Sequence, residues 1–267
     1  MTQAAEPPMM NAPASSSSPA DWNIAAGRFF FRHRNALFPI VIAGIVLFCR
    51  PQILFGSPAI DHALIGLGAA MALLGEVIRL TTIGFRYIER GGRNRQVYAS
   101  RLVRRGVYGL TRNPMYVGNI LIASGLCLVA GSPAACLTII PFFLFIYRAI
   151  VANEESYLHA RFGRGYAQYC RSVPRFWPSL RGLKRAFIGM RFSWARALRQ
   201  DLSTILGLAQ GLVWFPLWRR LWLQGWSATL ARLPVHIAWG GGVFVAYLML
   251  HSMKRRGLLS NARRAGA

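Results

Sequence analysis

The chain has 267 residues, of which 54% are hydrophobic, and its 32 Lys and Arg against 8 Asp and Glu give a formal net charge of +24. Disorder over most of the chain is excluded because there is ample apolar surface to bury. A disulfide-stapled secreted domain is excluded because the cysteines are few and Cys49, Cys127 and Cys136 lie inside apolar runs. A membrane protein with basic loops and a basic nucleic-acid-binding protein remain.

The N-terminal region is rich in Pro, Ser and Ala, and Glu6 is the single charged side chain before Asp21. This composition predicts a disordered tail over residues 1–27 and not a signal peptide, which would need a basic start and an apolar stretch. A basic cluster follows, Arg28, Arg32 and Arg34, interleaved with phenylalanines. We interpret the cluster as an interfacial collar ahead of a membrane span.

Six apolar segments come next, at about 36–56, 60–83, 114–131, 133–152, 202–218 and 233–253. Residues 113–147 contain no charged residue, and that run is too long for one span of about 20 residues. Gly131-Ser132-Pro133 in its middle predicts a turn. The sequence therefore predicts a tight helical hairpin over about 114–152.

The fifth segment leaves two interpretations open. Its tryptophans recur at fourth positions and fit a membrane span as well as a helix lying in the interface. They are Trp214, Trp218, Trp222 and Trp226.

The basic residues are distributed unevenly along this pattern. With the N-terminus inside, 28 of the 32 Lys and Arg fall in inner segments and four in outer loops, namely Arg50, Arg219, Arg220 and Arg232. The positive-inside rule thus predicts an integral protein of a bacterial inner membrane or an equivalent one, with both termini cytoplasmic. Topology and anionic inner-leaflet lipids explain the charge, so we expect no specific nucleic-acid partner.

The stretch around Arg112-Asn113-Pro114 has two interpretations. Asn before Pro is a typical helix start, because the Asn side chain caps free backbone N–H groups and Pro at the first helical position loses no needed hydrogen bond. Arg112 would then lie among lipid headgroups, and the segment would only begin the third span. The alternative is a ligand site at this end of the hairpin.

Glu154 and Glu155 favour the second interpretation, because acids are scarce here and these two are adjacent at the inner end of the fourth span. We place them at the helix C-terminus, where the macrodipole disfavours negative charge. Neighbouring helical residues point about 100° apart, so at most one carboxylate faces a cavity directly and the other can pair with a basic residue such as Arg161 or Arg112. A solvated pair that balances nearby arginines is the structural alternative.

In order, these motifs resemble the membrane methyltransferase superfamily that includes isoprenylcysteine carboxyl methyltransferases and phospholipid N-methyltransferases, over about residues 63–180. The residues that carry the resemblance are Leu102-Val103, Gly106, Tyr108, Arg112-Asn113-Pro114, Tyr116, Gly118, Glu154-Glu155, Phe162-Gly163, Tyr166, Tyr169 and Val173-Pro174-Arg175, preceded by Arg79 and Gly84. Asn113 replaces the superfamily's usual His, and Asn forms hydrogen bonds but does not titrate near neutral pH.

The resemblance implies S-adenosylmethionine as the methyl donor, bound at the cytoplasmic end of the hairpin, and a lipid or lipid-like acceptor. It implies a cofactor site formed by Tyr108, Arg112, Asn113, Pro114, Tyr116, Gly118, Glu154 and Glu155. No residue is assigned a catalytic role, because methyl transfer from a sulfonium needs positioning and exclusion of water more than a nucleophile of the protein. A carboxylate acceptor is already ionised, whereas an amine must first lose a proton.

Three weaker features have structural interpretations. Gly66 and Gly68 resemble a cofactor-binding Gly-x-Gly but are more typical of close helix packing. Glu76 and Arg79 lie one turn apart and are expected to pair at the membrane edge, with a site role as the alternative. The five histidines are scattered, so no metal site is expected.

The fold prediction is an all-α, polytopic membrane bundle of about six transmembrane segments with a cytoplasmic cofactor site. Its expected divisions are two helices over 28–84, a methyltransferase core over 85–181 and a C-terminal extension over 182–267. Two other functions remain open: a membrane reductase of the sterol-reductase type with a nicotinamide cofactor, and a non-catalytic membrane scaffold.

Overall fold

A computed structural model describes residues 19–53, 56–85, 97–179 and 181–259, and in these ranges it contains helices and no strand. The helices are α1 (Pro19–Phe48), α2 (Pro58–Phe85), α3 (Pro114–Ala130), α4 (Pro133–Phe162), α5 (Arg164–Ser172), α6 (Leu183–Ala186), α7 (Trp194–Leu230) and α8 (Leu233–Arg255), with a 3₁₀ turn at Gly106–Gly109. The prediction of an all-α fold is confirmed.

Local signals explain the α3–α4 hairpin. Pro114 occupies the first turn of α3, and Gly131 ends the helix with a φ of 65°, a left-handed conformation that favours glycine. Ser132 is the N-cap of α4, and its hydroxyl accepts a hydrogen bond from the Ala135 N–H at 3.3 Å. The predicted hairpin is therefore confirmed at its turn.

The end of α4 differs from the prediction. The helix continues past residue 152 to Phe162 and stops at Gly163, whose φ is 49°. Glu154 and Glu155 consequently lie about two turns inside α4, and the prediction that they sit at a helix C-terminus is wrong. The polar residues that follow residue 152 do not end the helix, whereas Gly163 does.

Helices α2 and α3 approach each other through glycines. A Cβ added at Gly68 would lie 2.7 Å from the Gly125 carbonyl oxygen, and one at Gly75 would lie 2.6 Å from that of Gly118. Contacts this close require glycine at both crossing points. The packing interpretation holds for Gly68, whereas a Cβ at Gly66 would meet nothing within 4 Å.

The remaining helices surround this pair. Helix α1 packs against α4, α7 packs against α2 and α3, and α8 packs against α7. The main core lies between α1, α3, α4 and α7 and includes Phe31, Cys127, Phe143, Ile146 and Phe215. The molecule is thus built around the hairpin.

Three helices of the described chain, α2, α4 and α8, are long and apolar enough to cross a membrane, and α3 is a shorter apolar helix of 17 residues. Helix α1 begins at Pro19, so residues 19–27 of the predicted tail are helical, and residues 1–18 lie outside the described residues. Helix α7 (Trp194–Leu230) is kinked at Gly225, whose φ is 82°, and it runs past the predicted segment 202–218 at both ends. Arg219, predicted in an outer loop, is buried within α7.

Candidate functional site

The candidate site lies where α3 begins, and the chain after α5 forms one of its walls. The backbone N–H of Arg112 donates to the Pro174 carbonyl at 2.9 Å, and that of Ser179 donates to the Leu110 carbonyl at 2.9 Å. The Thr111 hydroxyl donates to the Phe176 carbonyl at 3.0 Å. These bonds hold residues 110–113 and 174–179 side by side, so the two ends of the motif region form one structure.

Asn113 precedes the first residue of α3, as predicted, but its side chain does not cap the helix. Its amide Nδ2 instead donates to the Arg175 carbonyl oxygen at 3.0 Å. The capping role expected for this side chain is therefore wrong. Asn113 joins the start of α3 to the segment after α5.

Glu155 pairs with two guanidinium groups. Its carboxylate oxygens lie 3.1 Å from Arg112 Nη1 and 3.0 Å from Arg175 Nη2. Pairing with Arg112 was one of the expected outcomes; Arg161, the other candidate, donates to the Ala99 carbonyl. The sequence pattern contained Arg175 but did not place it in the site, because Arg175 and Glu155 belong to separate segments on either side of α5.

Glu154 points elsewhere, as adjacent helical positions require. Its Oε1 accepts a hydrogen bond of 2.5 Å from the Tyr116 hydroxyl. The Tyr116 ring in turn packs against Tyr147 of α4, with centroids 5.1 Å apart. The two carboxylates thus have different partners: Glu154 a neutral hydroxyl and Glu155 two cations.

The environment keeps the nearby groups in fixed charge states. Burial alone would disfavour the charged form of Arg112, but Glu155, Cys170 and Tyr166 outweigh it and raise the pKa of Arg112. Burial is also the main reason why the pKa values of Tyr166 and Tyr169 are raised. Arg112 therefore stays cationic, and both tyrosines stay neutral donors at any physiological pH.

Tyr108 is hydrogen-bonded to α5 through its backbone. It lies in the 3₁₀ turn, and its carbonyl oxygen accepts a hydrogen bond of 2.7 Å from the Tyr169 hydroxyl. An open groove of about 410 Å³ lies here. It is lined by Arg104, Gly109, Gln168, Tyr169, Ser172 and Val173.

Two predicted site residues serve the packing of α3. Pro114 is buried in the first turn of the helix. Gly118 faces α2, where an added Cβ would lie 2.5 Å from Arg79 Cγ. The structure therefore brings Arg112, Asn113, Tyr116 and the two glutamates together, and it places Gly118 on the opposite, α2 side of α3.

Metal chemistry has no visible donor set in the described ranges. Among those residues, no three His, Cys, Asp or Glu side chains are grouped so that they could hold a metal ion. The four cysteines are free thiols.

These features define a class: a helical protein with three helices apolar enough to cross a membrane and a charged site at one end of an apolar hairpin. Residues 63–165 match the phospholipid methyltransferase family model. The chain is also 30% identical over 175 residues to the cobalt-zinc-cadmium resistance protein CzcN of Cupriavidus metallidurans, a match that covers 64% of this chain and 76% of that protein.

Two relatives are named as methyltransferases. Protein-S-isoprenylcysteine O-methyltransferase B of Arabidopsis thaliana is 29% identical over 112 residues, which cover 40% of this chain and 55% of that protein. Protein-S-isoprenylcysteine O-methyltransferase of Xenopus laevis is 32% identical over 131 residues, which cover 44% of this chain and 42% of that protein. The match thus spans about half the length of these two proteins. No solved structure matches the chain.

Residues 63–165 of the chain therefore belong to the membrane methyltransferase superfamily of phospholipid and isoprenylcysteine methyltransferases. The family match covers most of α2, the α3–α4 hairpin and the motif residues up to Gly163, whereas Tyr166, Tyr169 and Val173-Pro174-Arg175 lie beyond it.

Proposed function

We propose that this protein is an S-adenosylmethionine-dependent methyltransferase that acts on a lipid-like acceptor. The observation that carries the proposal is the meeting of Arg112, Arg175, Tyr116 and the two glutamates at the start of the hairpin in a chain of this superfamily. Such a set offers both cationic and anionic partners within one small region. S-adenosylmethionine has matching groups, because it carries a carboxylate, an ammonium and ribose hydroxyls.

Each residue has a distinct proposed role. Glu154 binds the ribose hydroxyls or the ammonium group of the cofactor, since its carboxylate already accepts a hydroxyl donor. Glu155 fixes Arg112 and Arg175, whose planar guanidinium groups suit a carboxylate. Asn113, Pro114 and Tyr116 frame the same wall, and Tyr108 with the adjoining groove would border the adenine side.

The cofactor supplies a methyl group bound to a positively charged sulfur, and the residues of this chain have to orient the reactants and keep water out. The acceptor that we propose is an isoprenylcysteine-type carboxylate or a phospholipid amine. A carboxylate is ionised at neutral pH, whereas an amine must lose a proton to its surroundings before it can react. Either acceptor would enter from the bilayer beside the helices.

The proposed orientation follows the charge distribution. We propose that the start of α3 faces the cytoplasm, with both termini on that side, because the basic residues concentrate there. The cofactor would then arrive from the cytosol, by a route separate from that of the acceptor.

Ligand binding to the purified protein tests the function. We expect S-adenosylhomocysteine to raise the thermal unfolding midpoint and a nicotinamide nucleotide to leave it unchanged. Membranes that contain the protein should incorporate label from a methyl-labelled donor into an extractable lipid or a prenylated peptide. No thermal shift together with no added label would reject the proposal, and stabilisation by the nicotinamide nucleotide would favour a reductase.

A further inference from the structure

Helices α2 and α7 carry the same charge pattern. Arg79 follows Asp61 by 18 residues in α2, and Arg219 follows Asp201 by 18 residues in α7. This spacing makes five turns of an ideal helix, so both charges of each helix lie on one face about 27 Å apart. The helices run antiparallel, and each Asp meets the Arg of the other helix.

A single register accounts for the whole contact. The Asp61–Arg219 pair lies at one end and the Arg79–Asp201 pair at the other. Between them, Ala72 and Leu208 belong to one buried cluster, each about two turns from the Arg79–Asp201 pair. An apolar contact alone would tolerate sliding, but two directional pairs fix the register of α7 against α2.

The pair at the turn end, Asp61–Arg219, holds the loops of that end. Arg219 Nη2 lies 2.5 Å from Asp61 Oδ2 and also donates to the Gln52 carbonyl at 3.3 Å. The guanidinium packs on Gly131, where an added Cβ would overlap Arg219 Nε. None of these contacts involves the start of α3.

The pair at the motif end, Arg79–Asp201, is more deeply buried and has more partners. Glu76 Oε2 lies 3.8 Å from Arg79 Nε, so the predicted pairing of Glu76 with Arg79 is confirmed. Asp201 is 0% exposed and Arg79 is 3% exposed. Arg79 donates to both carboxylate oxygens of Asp201, through Nε at 3.0 Å and through Nη2, and Nη2 also donates to the Thr204 hydroxyl at 2.9 Å. Its Nη1 is left to donate to the Asn119 side-chain oxygen in α3.

Asn119 connects this pair to the candidate site. It lies one turn after Tyr116, the residue whose hydroxyl binds Glu154. Gly118 allows the Arg79 stem to lie directly against the α3 backbone. Asp201 therefore orients Arg79, and Arg79 holds the turn of α3 that carries Tyr116.

We propose that α7 crosses the membrane antiparallel to α2 and that its Asp201, through Arg79 and Asn119, is a positioning residue that sets Tyr116 against Glu154. Residues 202–218 carry no charge, and the distance between the two pairs is close to the roughly 30 Å of a hydrocarbon core. The positioning role rests on the proposed function, since it assigns the Tyr116–Glu154 contact to cofactor binding. It gives the C-terminal extension a part in the site.

Matched amide substitutions at the two ends test this role. Asp201→Asn and Asp61→Asn each remove one carboxylate charge from a buried pair of the same helix contact, so we expect both to lower the thermal unfolding midpoint. Asp201→Asn should also weaken S-adenosylhomocysteine binding about tenfold, because a small misplacement of a binding group is costly. Asp61→Asn should leave the Kd unchanged. An equal loss of affinity in both variants, or in neither, overturns the role.

A second measurement needs no cofactor. Hydrogen exchange of the amides of residues 114–120 should accelerate in Asp201→Asn and not in Asp61→Asn. If the wild-type protein binds no S-adenosylhomocysteine but this difference is found, the proposed function fails and the positioning contact stands. If exchange is the same in the two variants, the positioning contact fails whatever the protein binds.

A double variant with exchanged charges distinguishes the attachment of α7 to α2 from the positioning of Tyr116. It also takes the place of Asp201→Asn if that variant does not fold. Arg79→Asp combined with Asp201→Arg should recover part of the lost unfolding midpoint, because opposite charges still face each other but the new carboxylate at position 79 lies near Glu76. It should not recover the cofactor affinity, because a carboxylate at position 79 cannot donate to Asn119. Asp201→Glu keeps both features and should retain affinity. Recovery of affinity by the exchanged pair would contradict the proposal.

Discussion

The two ends of the α2–α7 contact use the same chemistry for different purposes. Each end has one buried Asp–Arg pair, and each Arg lies against a glycine of the hairpin: Gly131 at the turn end and Gly118 at the motif end. At the turn end Arg219 also donates a hydrogen bond to the Gln52 carbonyl in a loop. At the motif end Arg79 reaches the side chain of Asn119, and the carboxylates and guanidiniums of the candidate site lie on the other side of α3.

The comparison shows why burial alone does not identify a functional residue. Arg219 and Arg79 are both nearly inaccessible, and both would be expensive to leave unpaired. The two arginines differ in their further hydrogen-bond partners, which are a loop carbonyl for Arg219 and the Asn119 side chain for Arg79.

Arg219→Ala should have the largest effect, a loss of about 3–5 kcal/mol in the free energy of unfolding, because it leaves the Asp61 carboxylate buried without its cation. SDS titration of the purified protein in micelles measures this loss. Arg232→Ala, at an exposed position between α7 and α8, is the control and should change it by less than about 0.5 kcal/mol. The folded fraction of Arg219→Ala should bind S-adenosylhomocysteine like the wild type; a weaker Kd would show that the turn end also controls the site.

Gly68→Ala should cost about 1–3 kcal/mol, because its Cβ would press on the Gly125 carbonyl and separate α2 from α3 between the two ends. Gly66→Ala adds the same atom in the same helix into open space, and alanine's helix propensity should make it neutral or slightly stabilising. The same SDS titration compares the two variants. Equal losses would mean that the helices do not approach through Gly68.

Glu154→Gln should weaken S-adenosylhomocysteine binding about tenfold, which corresponds to the roughly 1.4 kcal/mol of one charged hydrogen bond. It should barely change stability, because the Tyr116 hydroxyl can donate to an amide oxygen as well. Isothermal titration of the purified protein measures the Kd.

Glu155→Gln is the matched variant. We expect it to lower the stability of the protein more than it weakens S-adenosylhomocysteine binding. It leaves Arg112 and Arg175 side by side, at a cost in stability of about 1 kcal/mol because the pairs are partly solvated. Normal cofactor binding by both variants would contradict the assignment of these glutamates.

The sequence predicted what local signals control. Pro114 and the glycine at 131 define the hairpin turn and the start of α3, and the pairing of Glu155 with Arg112 followed from the helical angle between neighbours. The pairing of Asp201 with Arg79 depends on tertiary packing between helices that are distant in the chain, which no local pattern encodes. The repeated spacing of Asp and Arg in α2 and α7 was the available signal, and it indicates antiparallel pairing only once both segments are known to be adjacent helices.

Asn113→His should have the smallest effect of these substitutions and most directly tests the departure of this chain from the superfamily's pattern. Asn113 donates to the Arg175 carbonyl through its amide, and an imidazole N–H can supply the same donor. Pro114 and the backbone of residue 113 set the helix start, since the Asn side chain does not cap it.

We therefore expect Asn113→His to change stability by less than about 0.5 kcal/mol and to leave the Kd for S-adenosylhomocysteine within about twofold. Asn113→Ala, which removes the donor, should cost about 1 kcal/mol. SDS titration and isothermal titration on the three proteins check both numbers. If histidine were as harmful as alanine, the position would require the amide itself. If both were harmless, the bond to Arg175 would not hold the start of α3 against the segment after α5.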